Sequence, residues 1–216
     1  MNALVIAPIV EGHGEVEAVP ILLRRTGAEL LRAPGIIVLK PVRRPRTKLI
    51  RPERVSQGRR WNIEELRRAV RFAMEKLKDA DRPNARHLVL LIVDAEDDCS
   101  KDLALEVNAE MDGWRTQVDF AVVLPTTCYE TWFAAAARSL SGFLGVGSEG
   151  DTLTDPESRR CGKKWVSDRM LGHGYKETVD QPRLTANMNL ELCRRHSPSF
   201  DKLCRELEKR VDQEPR

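Results

Sequence analysis

Apolar residues along the chain fall into short unbroken blocks separated by longer amphipathic ones. Leu4 to Val10 is apolar and β-rich throughout and stops at Glu11-Gly12, which predicts a buried strand. Glu15 to Leu31 has helical spacing, with Val16, Val19, Leu22, Leu23 and Leu30 on one side. Pro20 lies near the start of that segment, where a helix tolerates proline. Ile36–Lys40 predicts a second strand. Pro41 to Arg60, broken by Pro41, Pro45 and Pro52, reads as a loop. Asn62 is placed to cap a helix over Ile63 to Lys78, with Glu65 at the capping-box position. Leu88–Val93 is the clearest strand; its continuous apolar character predicts a central parallel strand covered on both faces. A helix over Lys101 to Met111, a strand over Val118–Leu124 and a helix over Tyr129 to Leu140 follow. Gly142 to Lys164 reads as irregular. Pro198 to Glu208 predicts a closing helix with Ser197 or Ser199 near its cap and Phe200, Leu203 and Leu207 facing inward.

Strands alternating with helices predict an α/β fold, a mostly parallel sheet of about four strands flanked by helices. The expected division is an α/β core over 1–140, carrying the 41–60 insertion, and an irregular and helical extension over 141–216. Hydrophobic residues at 41% and charged residues at 32% suit a folded chain rather than a disordered one. No apolar run approaches the roughly 20 residues of a membrane span. The N-terminus lacks a basic leader region and runs directly into the first strand, so the expectation is a cytoplasmic protein with no membrane association. The five cysteines, Cys99, Cys128, Cys161, Cys193 and Cys204, form no CxxC pair or zinc-finger spacing and read as reduced thiols.

A net charge of +3 does not by itself mark a nucleic-acid binder, but the charge is unevenly placed. Arg43 to Arg60 holds eight Arg or Lys against one acid, Glu53, while the stretch after Asp94 is acidic. A basic strip beside an acidic pocket suits a metal enzyme acting on a polyanion. The acids sit where α/β chemistry is expected, beyond the carboxyl ends of strands. Glu11-Gly12-His13-Gly14-Glu15 closes the first strand and Asp94-Ala95-Glu96-Asp97-Asp98 closes the strongest one. If those strands are neighbours, five or six carboxylates converge, an arrangement that needs compensating cations. Oxygen ligands of this kind select Mg²⁺ or Mn²⁺, and Glu11 is the carboxylate chosen as general acid or base.

Strand–Glu-Gly-x-x-Glu–helix followed by strand–Asp-x-Asp resembles the TOPRIM domain of topoisomerases, primases and OLD-family nucleases. The fuller opening, Val10-Glu11-Gly12-His13-Gly14-Glu15-Val16-Glu17-Ala18-Val19-Pro20, and the late Ser197-Pro198-Ser199-Phe200-Asp201-Lys202-Leu203 segment resemble the DUF4276 family of small TOPRIM-related bacterial proteins. The resemblance implies a TOPRIM-like (Rossmann-like) sheet and a Mg²⁺-dependent nuclease hydrolysing DNA or RNA phosphodiesters. It also implies a role in phage defence beside an ABC- or AAA-type ATPase partner, with a non-catalytic partner module as the alternative. Glu11 and Glu15 would be the acids of the first motif and Asp94 the first of the second. Asp-x-Asp is here Asp94-Ala95-Glu96, so Glu96, Asp97 and Asp98 compete for the second position, and Glu96 and Asp98 are taken as ligands. Glu130 matches a later acid of the OLD type, and Lys163, Lys164 or Lys176 would supply a catalytic cation, with Lys176 chosen. Arg43, Arg44, Arg46, Lys48, Arg59, Arg60, Lys163 and Lys164 would grip the phosphate backbone without reading sequence.

Other chemistries fit less well. Gly12-x-Gly14 lacks the third glycine of a dinucleotide fingerprint, because position 17 is Glu17, and no P-loop motif occurs. His13, His87, His173 and His196 lack zinc spacing. Cys128 has no evident base and reads as a buried structural cysteine rather than a nucleophile. The four tryptophans are too scattered for a base-stacking ladder.

Overall fold

A computed structural model of the protein describes residues 3–51, 60–80, 84–114, 116–146, 156–157 and 162–211. Five parallel strands form one sheet: β1 (Leu4–Val10), β2 (Ile37–Val38), β3 (Val42–Arg43), β4 (Arg86–Ile92) and β5 (Asp119–Val123). Their order is β2-β1-β4-β5, with β3 also paired to β1. Every residue of β1 is buried, as is Leu88 to Ile92 of β4, which is what the unbroken apolar runs require when helices cover both faces.

The two faces carry separate apolar layers. Helices α1 (His13–Arg25), α2 (Arg46–Leu49), α3 (Ile63–Asp79), α4 (Ser100–Met111), α5 (Glu130–Ala135), α6 (Lys163–Ser167), α7 (Glu177–Asn187), α8 (Leu190–His196) and α9 (Pro198–Val211) follow in chain order. Val5, Ala7, Ile9, Val89 and Leu91 pack with Leu66, Val70 and Ala73 of α3 and Leu103 and Val107 of α4. Ile6, Leu88, Leu90 and Val123 point the other way, against Val19 and Leu22 of α1, Trp132 of α5, Leu184 of α7 and Phe200 and Leu203 of α9. This is a Rossmann-like α/β architecture. Among the described residues, no helix is long and apolar enough to cross a membrane.

Several elements differ from their sequence-based expectation. The strand predicted over Ile36–Lys40 is only Ile37–Val38, and a second short strand, Val42–Arg43, stands in the segment read as a loop. Val5 pairs with Ile37 and Ile6 with Val38, whereas Ile9 pairs with Val42 and Val10 with Arg43, so one residue is inserted on the edge strand between the pairings. Pro41 stands in that insertion and has no N–H to donate, which confines it to an edge or a bulge. The basic segment after it is not a plain loop. Ile50 bridges Trp61 in antiparallel fashion, Arg51 N–H donates to Arg60 O at 2.8 Å, and Leu49, Ile50 and Trp61 are buried. Residues 52–59, including the proposed phosphate contact Arg59, lie outside the described residues, as does Cys161.

The first helix ends at Arg25 and continues as a π-helical turn over Thr26–Leu30. A Cβ on Gly27 would lie 2.6 Å from Ile36 Cδ1, so this glycine permits close packing there. Asn62 precedes α3 without a side-chain cap bond. The helix expected over Tyr129 to Leu140 is α5 followed by a 3₁₀ turn, Ala137–Leu140. Helices α6, α7 and α8 occupy sequence for which periodicity gave no helix.

Candidate functional site

The chain runs from β1 to the edge strands on one side, then to β4 on the other, so the order reverses between β1 and β4. A crevice at such a reversal, outside the carboxyl ends of the strands, is where open α/β sheets bind ligands. β1 and β4 end one residue before Glu11 and two before Asp94, respectively. The two strands are paired in register along six residue pairs, so the two acids are delivered side by side. Asp94 N–H donates to Glu11 Oε2 at 3.3 Å.

Glu15 enters the same cluster from the first turn of α1. Its Oε2 accepts from the backbone N–H groups of Glu11 (3.0 Å) and Gly12 (3.3 Å), so its carboxylate also closes the helix start. Oxygen atoms of Glu11, Glu15 and Asp94 lie within 4.8 Å of one another. Glu15 and Asp94 are buried. Burial first, opposed by Arg46 and the Asp94 N–H, pushes the Glu11 carboxyl up to about 7. Burial and then Glu11 push Glu15 up to about 8. Asp94 is raised well above the usual carboxylate range by burial and by Glu11, Glu15 and Glu130 in turn. Three mutually repelling acids in a poorly hydrated place are what a divalent cation relieves.

Glu130, at the start of α5, is fully buried on the other side of Asp94, and its Oε1 accepts from the Tyr175 hydroxyl at 2.9 Å. Tyr129 N–H donates to Asp94 Oδ1 at 2.9 Å, which ties the α5 start to the end of β4. Cys128 Sγ, Glu130 and Asp94 form a second close set, again within 4.8 Å. Burial, then Glu130 and Asp94, push the Cys128 thiol up, so it is not an activated nucleophile. Glu96 and Thr127, which bridge each other here, both have left-handed backbones, with φ 51° and 67°. A β-branched residue in that region is strained, and such strain collects at functional sites.

Of the acids named from the sequence, Glu11, Glu15, Asp94 and Glu130 are brought together, whereas Glu96 and Asp98 stand apart. Asp98 is held by both Arg46 and Arg60. Glu96, with its side chain 58% exposed, pairs with Arg46 at 3.1 Å. Arg46 also donates to the carbonyls of Asp94 (3.0 Å) and Ala95 (3.1 Å), so it builds the acidic loop instead of facing outward to grip phosphate. A cleft of about 470 Å³ beside that loop is lined by Arg46, Thr47, Arg51, Arg60, Glu96 and Asp98 among others. Arg43 donates to Glu11 O at 3.3 Å, Arg44 donates to Arg43 O at 3.0 Å, and Lys48 is exposed on α2.

The three lysines separate clearly. Lys163, next to Gly162 where a Cβ would touch Cys128 Sγ at 3.4 Å, carries the charge felt by Asp94, Glu11 and Glu130. Burial alone would lower its pKa. Its bond to Glu177 (2.8 Å) and the fields of Glu130 and Asp94 outweigh that and hold it above the ordinary lysine value. Lys164 is 87% exposed and pairs with Asp168, and Lys176 is exposed at the start of α7. Lys163 is therefore the lysine beside the acids, not Lys176.

Two contributors were not placed at the site from the sequence. Cys128, read as a buried structural cysteine, is buried, and its position two residues before Glu130 on the turn leaving β5 could have placed it beside the acids. Tyr175, in a glycine-rich segment, carried no signal that it bonds Glu130. Gly14 of the first motif serves packing: a Cβ there would lie 2.2 Å from Gln181 Oε1 and 2.7 Å from Glu177 O, so it lets α7 lie directly on α1.

No curated protein and no solved structure matches the chain. A family model described as Domain of unknown function (DUF4276) matches residues 10–208, a span that contains all four converging acids, Cys128 and Lys163. The chain belongs to the DUF4276 family.

Proposed function

We propose that the protein is a TOPRIM-like, divalent-metal-dependent nuclease that hydrolyses nucleic-acid phosphodiesters. The observation that carries this reading is the convergence of Glu11, Glu15 and Asp94 at the β1–β4 reversal, with their oxygens within 4.8 Å. The donor set is all oxygen, as Mg²⁺ and Mn²⁺ require. Such an ion, bound there, would neutralise the acids and activate water against a phosphodiester.

The residues around it suit the rest of the reaction. Glu11 Oε2 is engaged by Asp94 N–H, which leaves Oε1 to take a proton from the attacking water. A bound cation would lower the raised Glu11 pKa of the empty cluster and hold the carboxylate in its proton-accepting form. Lys163 supplies fixed positive charge toward developing negative charge on phosphate. Arg43, which donates to Glu11 O, and Arg44, Lys48 and Arg51 on the segment that follows would hold the phosphate backbone.

The test is incubation of supercoiled plasmid, single-stranded DNA and RNA with Mg²⁺, Mn²⁺ or EDTA, alongside Glu11→Gln and Asp94→Asn. Divalent-dependent cleavage that falls at least about 100-fold in both variants is the expected result. No cleavage of any of the three by folded, metal-loaded protein would instead favour a non-catalytic module working with an ATPase.

A further inference from the structure

Asp94 belongs to two close sets of ligand atoms, and the second is chemically unlike the first. Asp94, Cys128 and Glu130 each place a ligand atom within 4.8 Å of the other two, and all three are buried. Glu130 has no exposed surface. Its Oε1 is satisfied by Tyr175, but its Oε2 is buried and makes no well-formed hydrogen bond among the described residues, the Cys128 thiol being the donor that faces the carboxylate. A buried carboxylate oxygen left unpaired carries a desolvation cost that a ligand would remove. Lys163, whose charge is felt by Asp94 and Glu130, has its ammonium on Glu177 at 2.8 Å.

We infer that Asp94, Cys128 and Glu130 form a second cation site, adjacent to the all-oxygen one, that takes a thiophilic divalent ion of the Zn²⁺ type. This inference rests on reading the strand-end acids as a cation centre. The choice of ion follows from the sulfur ligand: thiolates select Zn²⁺ and its relatives, whereas Mg²⁺ takes oxygen. Three protein ligands around such an ion leave a fourth position for water or substrate, the pattern of a reactive rather than a purely structural zinc site. Binding displaces the thiol proton, because the ligand is the thiolate. Asp94 would then lie between a hard ion and a soft one.

Co²⁺ alone, titrated into the full-length protein, tests this, because a cobalt–thiolate bond gives a near-ultraviolet charge-transfer band that oxygen ligands do not. The band is expected in the wild type and in Glu11→Gln, to vanish in Cys128→Ser and Cys128→Ala, and to need at least tenfold more Co²⁺ in Glu130→Gln. Two cysteine variants are used so that one misfolding leaves the other to decide. No band in the wild type at saturating Co²⁺, or an unchanged band in both cysteine variants, would overturn the proposal. Mn²⁺ binding measured on the same proteins separates this from the first site: Cys128→Ser should retain it, and Glu11→Gln should lose it. A Co²⁺ band lost in Glu11→Gln as well would mean a single mixed centre and would also overturn the proposal.

Discussion

Glu11, Glu15 and Asp94 all have folded-state pKa values above the ordinary carboxylate range, so each favours its protonated form in the folded chain. The stability this contributes is fully present below the unfolded value near 4.5. It is lost as pH rises through about 7 for Glu11 and about 8 for Glu15. With EDTA present, the melting temperature should therefore fall between about pH 5 and about pH 8, and saturating Mn²⁺ should restore it at the upper end. Glu11→Gln should flatten the EDTA profile and abolish the Mn²⁺ rescue; calorimetric scans across that range decide it. Asp98 supplies a contrasting case. As a partner of Arg46 and Arg60, with its side chain 8% exposed, it should cost about 1–3 kcal/mol when changed to Asn while Mn²⁺ affinity stays as in the wild type. Glu11 and Asp94 were legible because each directly follows an unbroken apolar run and so stands at a strand's carboxyl end, and Glu15 because it opens the helix that follows the first of them. Asp98 and Glu130 were not separable by sequence. What distinguishes them is that two arginines from the 46–60 segment reach one, whereas a tyrosine and a cysteine surround the other.

The elements with strong periodicity, β1, β4, α3, α4 and α9, fall close to where their patterns place them. The split of β2 from β3 turns on one inserted residue near Pro41, a matter of strand pairing that no local pattern reports. α7 was not legible because Pro182 interrupts it and polar loops flank it, yet it closes over the start of α1 beside the acids. Gly14→Ala tests that contact. The added methyl must displace a backbone carbonyl as well as a side chain, so a loss of about 1–3 kcal/mol is expected in urea unfolding. At the far end, Arg210 of α9 binds Asp119 of β5 through two bonds of 2.6 and 2.8 Å and also pairs with Glu206. This fastens the last helix to the sheet's edge strand.

The whole molecule brings acids at the β1–β4 reversal up against basic residues carried by the edge strand and the excursion that follows it. A net charge of +3 conceals this, because Arg46 and Arg60 are turned inward to the acidic loop while Lys48 and Arg51 on the same segment are exposed. If the proposed function holds, nucleic-acid binding weakens steeply with salt. Lys48→Ala should lower affinity evenly across sequences and reduce the slope of log K against log salt by about 1, as read by fluorescence anisotropy. The central claim is that the strand-end carboxylates hold a hard divalent ion, and a crystal soaked in Mn²⁺ tests it most directly. An anomalous difference peak coordinated by Glu11, Glu15 and Asp94, absent from Asp94→Asn crystals, is the predicted result. Well-ordered carboxylates with no peak between them at saturating Mn²⁺ would contradict it.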